Sequence, residues 1–164
     1  MIETLAREIG FSLEGNYNAS RLLWDNLDTN SERRAILSDS GNFTYGQLAV
    51  EAAKVGNVLL QAGCKPKERI LLFLNDEPAY PAAIMGALRA GFVPVLVNTL
   101  TPPDLIRYCL QDSSATTAVV SEDHADLFTQ ETVKGTACHT VIATANGQPW
   151  AAMESDLPEY PTTA

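Results

Sequence analysis

Histidine, cysteine and positive charge are scarce in this sequence of 164 residues. It has 2 histidines, 3 cysteines and 11 lysines and arginines against 20 aspartates and glutamates, which gives a net charge of −9. Nucleic acids and anionic membranes bind clustered basic side chains, so this balance argues against both as partners. Cys64, Cys109 and Cys138 form no Cys-x-x-Cys pair and no ligand cluster, which favours a reducing, cytoplasmic compartment.

Long apolar runs and the familiar catalytic motifs are also missing. No run can span a bilayer, and the charged start of the sequence lacks the apolar core of a signal peptide. The dinucleotide fingerprint GxGxxG, the GxSxG elbow, HExxH and the GxxxxGK[ST] loop are all absent. His124 and His139 stand alone in the sequence. Each is either functional or an ordinary surface or core histidine, and we favour the second interpretation.

The N-terminal third contains signals for a helix and a hairpin. Residues 1–17 form a lead-in, and Asn18 is a candidate N-cap for a helix that reaches Leu27. Turn residues separate the short strand Ala35–Leu37 from a return strand at Phe43, which predicts a β-hairpin. The sequence from Thr44 to Gln47 fits a capping box, and it predicts a helix that ends at Gly63.

Strand and helix patterns then alternate regularly. Strands are predicted at Ile70–Leu74, Val93–Val97, Thr117–Ser121 and Thr140–Ala143, and helices near Pro78–Ala90, Pro102–Gln111 and Glu122–Glu131. This alternation predicts an α/β fold, a parallel βαβ sheet with flanking helices. We therefore divide the sequence into a lead-in, an α/β unit over residues 18–144, and a linker over residues 145–164 with one short helix at Ala151–Leu157.

The stretch from Gly86 to Leu100 carries the most information. Gly91 can adopt the left-handed conformation that ends a helix. The apolar run Val93–Val97 then suits a parallel strand that is covered on both faces. Thr101 and the prolines after it predict the start of the next helix.

Polar residues follow two of the predicted strands. Asn75 and Asp76 follow one strand, and Asn98 and Thr99 follow the next. Open α/β sheets bind ligands at the carboxyl ends of their strands, so these four residues are candidate site residues. The alternative, which we favour, is that they cap the following helices. Asp76 with Glu77 resembles a phospho-acceptor pocket only weakly, since no lysine follows the last strand.

Several short motifs occur in the order found in one enzyme family. They are Asn42–Leu48 (NFTYGQL), Gly63, Asp76-Glu77, Gly86–Gly91 (GALRAG) with its Val-Pro-Val strand, Asp112-Ser113 and Thr117–Val120. In this order the chain resembles the N-terminal domain of the AMP-forming acyl-CoA ligases, the adenylate-forming superfamily. Through Val97–Leu100 it is most similar to the benzoate-CoA ligase type.

The resemblance implies a ligase that activates a carboxylic acid, aromatic and benzoate-like, with ATP and Mg²⁺ before the acyl group is transferred to CoA. That chemistry needs a Ser/Thr/Gly-rich loop that ends in lysine, and the sequence contains none. We therefore expect no catalytic residue, metal ligand or bound cofactor in this chain. We expect it to be an N-terminal fragment that is inactive alone and whose sequence continues beyond Ala164. Arg89 is the one cation expected near the ligand edge. It either meets a CoA phosphate in a complete relative or, as we favour, neutralises a helix C-terminus.

A second function class stays open. The chain could instead be a short α/β interaction or regulatory module without catalysis. In either case, strands that are apolar on both faces need a layer on each side, and the sequence offers few helices to supply them. We therefore expect an uncovered sheet edge and self-association as a homodimer.

Overall fold

The structure, a computed structural model, describes residues 17–39, 41–144 and 157–161. Two short helices, α1 (Arg21–Trp24) and α2 (Leu27–Asn30), precede an antiparallel hairpin of β1 (Arg34–Ile36) and β2 (Phe43–Thr44). The elements that follow are α3 (Tyr45–Gln61), β3 (Arg69–Phe73), α4 (Ala79–Arg89), β4 (Val93–Leu96), α5 (Pro103–Ser113), β5 (Thr117–Ser121), a 3-10 helix (Glu122–Leu127), α6 (Gln130–Val133) and β6 (Thr140–Thr144).

Strands β3 to β6 form a four-stranded parallel sheet in the order β4-β3-β5-β6. Leu71 of β3 lies beside Val95 of β4 on one side and Ala118 of β5 on the other. This architecture confirms the predicted α/β class, including the small N-terminal hairpin. Among the described residues, none of the helices is both long and apolar enough to cross a membrane.

Strand β3 is buried on both faces because successive side chains point to opposite layers. Ile70 and Leu72 pack with residues of α3 and α4, and Leu71 and Phe73 pack with residues of α5 on the other face. All four side chains have no exposed surface. Burial of each contributes about 1.5–3 kcal/mol relative to an exposed side chain, so β3 is the centre of both hydrophobic layers.

Helices α3 and α4 cross at unusually short range because their facing residues are small. The small buried residues of these helices are Ala49, Ala52, Ala53 and Gly56 of α3, and Ala82, Ala83, Gly86 and Ala87 of α4. A Cβ atom placed on Gly86 would overlap the carbonyl oxygen of Ala52 and lie 3.0 Å from the backbone nitrogen of Gly56. The two backbones are therefore in direct contact, and glycine permits this approach.

The predicted capping box at the start of α3 is confirmed. The Thr44 hydroxyl accepts a hydrogen bond from the Gln47 backbone N–H at 3.2 Å, and the Gln47 side chain accepts one from the Thr44 N–H at 2.9 Å. These two bonds satisfy donors that the first turn of a helix leaves unpaired. The helix ends shortly before Gly63, whose φ of +85° is a left-handed value that suits glycine.

Two predictions about the helices are wrong. Instead of one helix from Asn18 to Leu27, two four-residue helices form, and the Asn18 side chain binds the Ser20 N–H and the Leu88 carbonyl. Asn18 thus bonds a backbone N–H just before α1, as a capping residue does, and also makes a tertiary contact to α4. Instead of one helix over Glu122–Glu131, the chain forms the 3-10 helix Glu122–Leu127. The buried Phe128 follows it, and Thr129 caps the separate helix α6.

The prediction that Val93–Val97 is covered on both faces is wrong, because side chains of β4 are exposed, and β4 is in addition an edge strand. The connection from β4 to β5 passes across β3, which leaves β4 without a second neighbour in the described sheet. Val93 and Leu96 are accordingly 47% and 53% exposed. The backbone N–H groups of Val93 and Val97 donate towards β3. Successive backbone groups of a strand point in opposite directions, so the nitrogen of Pro94 points away from β3, and its lack of a hydrogen removes no bond between the strands. The expected open edge is present among the described residues, and self-association stays a prediction.

The other boundaries differ from prediction by one or two residues. Helix α5 begins at Pro103, and Pro102 rather than Thr101 occupies the capping position. The predicted lead-in and most of the predicted linker, with the helix at Ala151–Leu157, lie outside the described residues apart from Tyr17, Leu157 and the residues next to Leu157. Residues 157–161 have no regular secondary structure and lie against α3 and α4.

Replacement of Gly86 by alanine tests the helix crossing. The new Cβ meets backbone atoms that cannot move aside, so Gly86→Ala is expected to lower the free energy of unfolding by about 1–3 kcal/mol, despite the better helix propensity of alanine. Urea unfolding measures the change. Gln61→Ala at the exposed end of α3 is the control and is expected to change it by less than about 0.5 kcal/mol. Equal effects of the two substitutions would contradict the crossing as described.

Candidate functional site

The order of the strands places a crevice between the carboxyl ends of β3 and β5. The chain leaves β3 towards β4 on one side of the sheet and leaves β5 towards β6 on the other side. Neighbouring strands whose connections diverge in this way form a topological switch point, where open α/β sheets bind their ligands. The residues after β3 and β5 therefore define the candidate site.

Asn75 is the centre of a hydrogen-bond network in this crevice. Its backbone N–H donates to the Ser121 hydroxyl at 2.9 Å, and its side-chain amide donates to both carboxylate oxygens of Asp123 at 3.1 Å. Its side-chain oxygen lies 2.9 Å from Nε2 of His124. Because the Asn75 oxygen can only accept, Nε2 of His124 carries the proton in this arrangement. Asn75 thus joins β3 to the 3-10 helix after β5.

His124 lies at the candidate site, although the sequence did not single it out as a site residue. Its ring packs edge-on against Phe73, with ring centroids 5.4 Å apart, and its Nε2 lies 3.8 Å from the Asp123 carboxylate. The only sequence signal was its position shortly after the predicted strand Thr117–Ser121. The predicted site residues follow two other strands, so none of them lies at the end of this third strand.

The other predicted residues at this edge are more exposed. Asn98 is exposed, and its side-chain oxygen accepts from the Leu100 N–H at 2.8 Å, a local turn rather than a cap of α5. Thr99 is half-buried beside it, and Asp76 is exposed. Burial, with the negative charge of Asp76 as a second cause, raises the pKa of the Tyr80 phenol. Asp76 therefore lies close enough to Tyr80 to act on it electrostatically.

Arg89 lies at the opposite end of the sheet. It occupies the last turn of α4, just before β4 begins, whereas Asn75 and Asn98 follow the ends of their strands. Its guanidinium group donates to the Leu157 carbonyl and to the Glu159 carboxylate, at 3.1 and 3.2 Å. Arg89 was expected near the carboxyl ends of the strands and lies at the other end instead. The reason is that the C-terminus of α4 leads into the start of β4.

The cysteines and acidic residues show no metal-binding arrangement within the described ranges. No group of three or more histidine, cysteine, aspartate or glutamate side chains comes together there. All three cysteines are free thiols. Burial raises the pKa of the Cys64 and Cys138 thiols, which keeps both protonated and weakly nucleophilic. The Cys64 sulfur lies 3.2 Å from the Thr117 hydroxyl, and Cys64 belongs to the hydrophobic cluster on the α3 and α4 side of the sheet.

Removal of the Asn75 side chain tests the network. Asn75→Ala is expected to lower the free energy of unfolding by about 1–2 kcal/mol, because the bonds to Asp123 and His124 are lost together. Asn98→Ala is the matched control, since it removes one exposed local bond and is expected to cost less than about 0.5 kcal/mol. Chemical denaturation of both variants supplies the comparison. A cost for Asn75→Ala no greater than that for Asn98→Ala would refute the role of Asn75 as a link between β3 and the 3-10 helix.

Curated relatives of this sequence include several aromatic acid CoA ligases. The chain is 35% identical over 118 residues to the benzoate–CoA ligase of Thauera aromatica, a match that covers 71% of this chain and 22% of that protein. It is 33% identical over 109 residues to the 4-hydroxybenzoate–CoA/benzoate–CoA ligase of Rhodopseudomonas palustris, which covers 66% of this chain and 20% of that protein. The chain thus spans about a fifth of the length of these relatives.

Solved structures of the same kind share the fold. A benzoate CoA ligase from Burkholderia xenovorans LB400 superposes with a TM-score of 0.79 at 30% identity, over 90% of this chain and 31% of that one. The N-terminal domain of FACL13 from Mycobacterium tuberculosis superposes with a TM-score of 0.77 at 18% identity, over 87% of this chain and 38% of that one, and shows the fold alone.

The match to a protein family covers most of the sequence. Residues 23–162 match the AMP-binding enzyme family, and this range includes both hydrophobic layers, the parallel sheet and the crevice at Asn75. The chain therefore belongs to the AMP-binding enzyme family, the adenylate-forming acyl-CoA ligases, and corresponds to part of their N-terminal domain.

Proposed function

We propose that this chain is the N-terminal α/β portion of an AMP-forming ligase that converts an aromatic, benzoate-like carboxylic acid to its CoA thioester. The observation that carries the proposal is the 35% identity to a benzoate–CoA ligase. The 30% identity to the superposed benzoate CoA ligase supports the same substrate class. In the complete enzyme, ATP and Mg²⁺ would serve the activation of the acid, and CoA would receive the acyl group.

The chain itself would supply structure rather than chemistry in this enzyme. Its 164 residues contain no Ser/Thr/Gly-rich loop closed by lysine, which adenylation needs to hold phosphate oxygens with oriented donors. We propose Asp76, Asn98 and Thr99 as residues that face the ligand side of the domain. Asn75 would act as a positioning residue, because its side chain already binds Asp123 and His124.

The setting of the complete enzyme is part of the same proposal. Three free thiols suit a reducing compartment, so the cytoplasm is the proposed location. For the 164-residue chain by itself, the open β4 edge, which the longer parent would cover, is the proposed place of self-association, with homodimers as the simplest product. Arg89 is not assigned to CoA, since its guanidinium group is committed to Leu157 and Glu159.

Two assays on matched proteins test the function. The purified 164-residue chain is expected to show no benzoate-dependent exchange between ATP and pyrophosphate, because it lacks the phosphate-binding loop. A longer protein that contains this chain is expected to form benzoyl-CoA from benzoate, ATP and CoA, and to use acetate far less efficiently. The acetate reaction is the control for the substrate class.

Three results would count against the proposal. Benzoate-dependent exchange by the short chain would show that its own residues suffice for adenylation. A longer protein that prefers acetate would refute the aromatic substrate. A gene product of only these 164 residues, folded and without exchange activity, would instead support a non-catalytic interaction module.

A further inference from the structure

Large apolar side chains that are exposed among the described residues concentrate around β4 and α5. Within one short stretch of sequence, the exposed ones are Val93, Leu96, Leu100, Leu105 and Tyr108. Leu100 is 87% exposed and Tyr108 is 60% exposed. A single apolar side chain on a surface is ordinary, whereas a contiguous group of them marks a place of association.

Leu105 lies on the flank of α5 that faces the β4 edge. Ile106 faces the sheet and is fully buried. Arg107 donates to the Lys134 carbonyl, in the connection that leads to β6, so one flank of α5 faces the β6 side of the sheet. Successive residues of a helix are about 100° apart, which places Leu105 on the opposite flank. Tyr108, three residues later, lies next to Leu105 on the outer surface of the helix.

The surface offers little charge to repel a second copy of the chain. Residues 90–103, which include β4 and the loop to α5, contain no acidic or basic side chain. The chain as a whole has a net charge of −9, so two copies repel each other least where both faces are neutral. Asp104 and Asp112 of α5 border the surface, as polar residues border apolar interfaces. A second copy of this chain therefore fits the surface.

Strand pairing by itself cannot hold two copies at this edge. The Pro94 nitrogen points away from β3 and carries no hydrogen, so a strand placed beside β4 would meet a missing donor. The strand β4 also extends only about 13 Å, whereas a stable interface buries about 800 Å² on each partner. Helix α5, which is about 16 Å long, supplies apolar area that β4 lacks.

We propose that Val93, Leu96, Leu100, Leu105 and Tyr108 form the interface of a twofold homodimer of this chain. Packing of side chains from the two α5 flanks holds the dimer, and no continuous ladder joins the two β4 strands. This interface is a specific form of the self-association proposed at the β4 edge and rests on it, and it does not depend on the ligase activity. Leu105 and Tyr108, which lie outside β4, determine the affinity.

Sedimentation equilibrium of the 164-residue chain over about a hundredfold range of concentration measures the dimer. Leu105→Lys and Tyr108→Lys are each expected to raise the dimer Kd at least about tenfold, since a twofold interface receives each new charge twice. Lysine lowers the net negative charge, so weaker association cannot come from greater repulsion between copies. Leu60→Lys, at an exposed position of α3 on the other face of the sheet, is the matched control, with a change of less than about twofold.

Exchange of the Leu96 amide hydrogen, followed by NMR, distinguishes side-chain packing from strand pairing. This N–H points away from β3, so a ladder between two β4 strands would protect it. In the dimer it is expected to exchange within about tenfold of its rate in the Tyr108→Lys monomer.

Two kinds of result would count against the α5 interface. A dimer unaffected by Leu105→Lys and Tyr108→Lys, or a Leu96 amide protected by strand pairing, would overturn this interface and leave self-association at the β4 edge intact. A wild-type chain that stays monomeric over the whole range would overturn both, and the polypeptide of a longer parent would then be what covers the surface.

Discussion

Backbone contact between α3 and α4 at Gly56 and Gly86 sets the geometry of one whole face of the sheet. Two helices with larger side chains at the crossing would lie farther apart, since side-chain size determines the distance between packed helices. The alanines around this point are fully or almost fully buried, so the close approach leaves no space to fill. Ile70 and Leu72 of β3 therefore pack against the continuous apolar layer that α3 and α4 form.

The same crossing also determines how residues 157–161 pack against α3 and α4. Gly56 contributes to both, because its backbone touches Gly86 on one side and its missing side chain leaves room for Leu157 on the other. Arg89 follows one turn after Gly86 on α4, which brings its guanidinium group to residues 157–161. The small residues that allow close helix packing thus also make room for residues 157–161.

The two ends of the sheet have different properties for a simple topological reason. In a βαβ unit the helix returns the chain to the start of the next strand, so residues at helix C-termini and at strand exits lie at opposite ends. Asn75 and Asn98 lie at the exit end, and Arg89 lies at the other. The candidate site and the contacts of Arg89 with residues 157–161 therefore lie at opposite ends of the sheet.

Local sequence signals predicted the elements well, and tertiary relations less well. The Thr44–Gln47 capping box and the Thr117–Ser121 strand were predicted with their observed bounds, because caps and short apolar runs act within a few residues. The order of the strands could not be derived from spacing, so the edge position of β4 was missed. The Asn75–His124 contact joins residues 49 positions apart in the sequence. It forms only because β3 and β5 are neighbours in the sheet, which the sequence alone did not reveal.

Hydrogen exchange in the native state tests the dependence of the domain on the α3–α4 contact most directly. Proteins open in cooperative units, and the most stable unit sets the highest free energy of opening. The account predicts that amides of α3, α4 and β3 exchange together at this highest value, and that amides of the β1–β2 hairpin and of β4 open more easily. Exchange of α4 amides at a clearly lower free energy than those of β5 would contradict it.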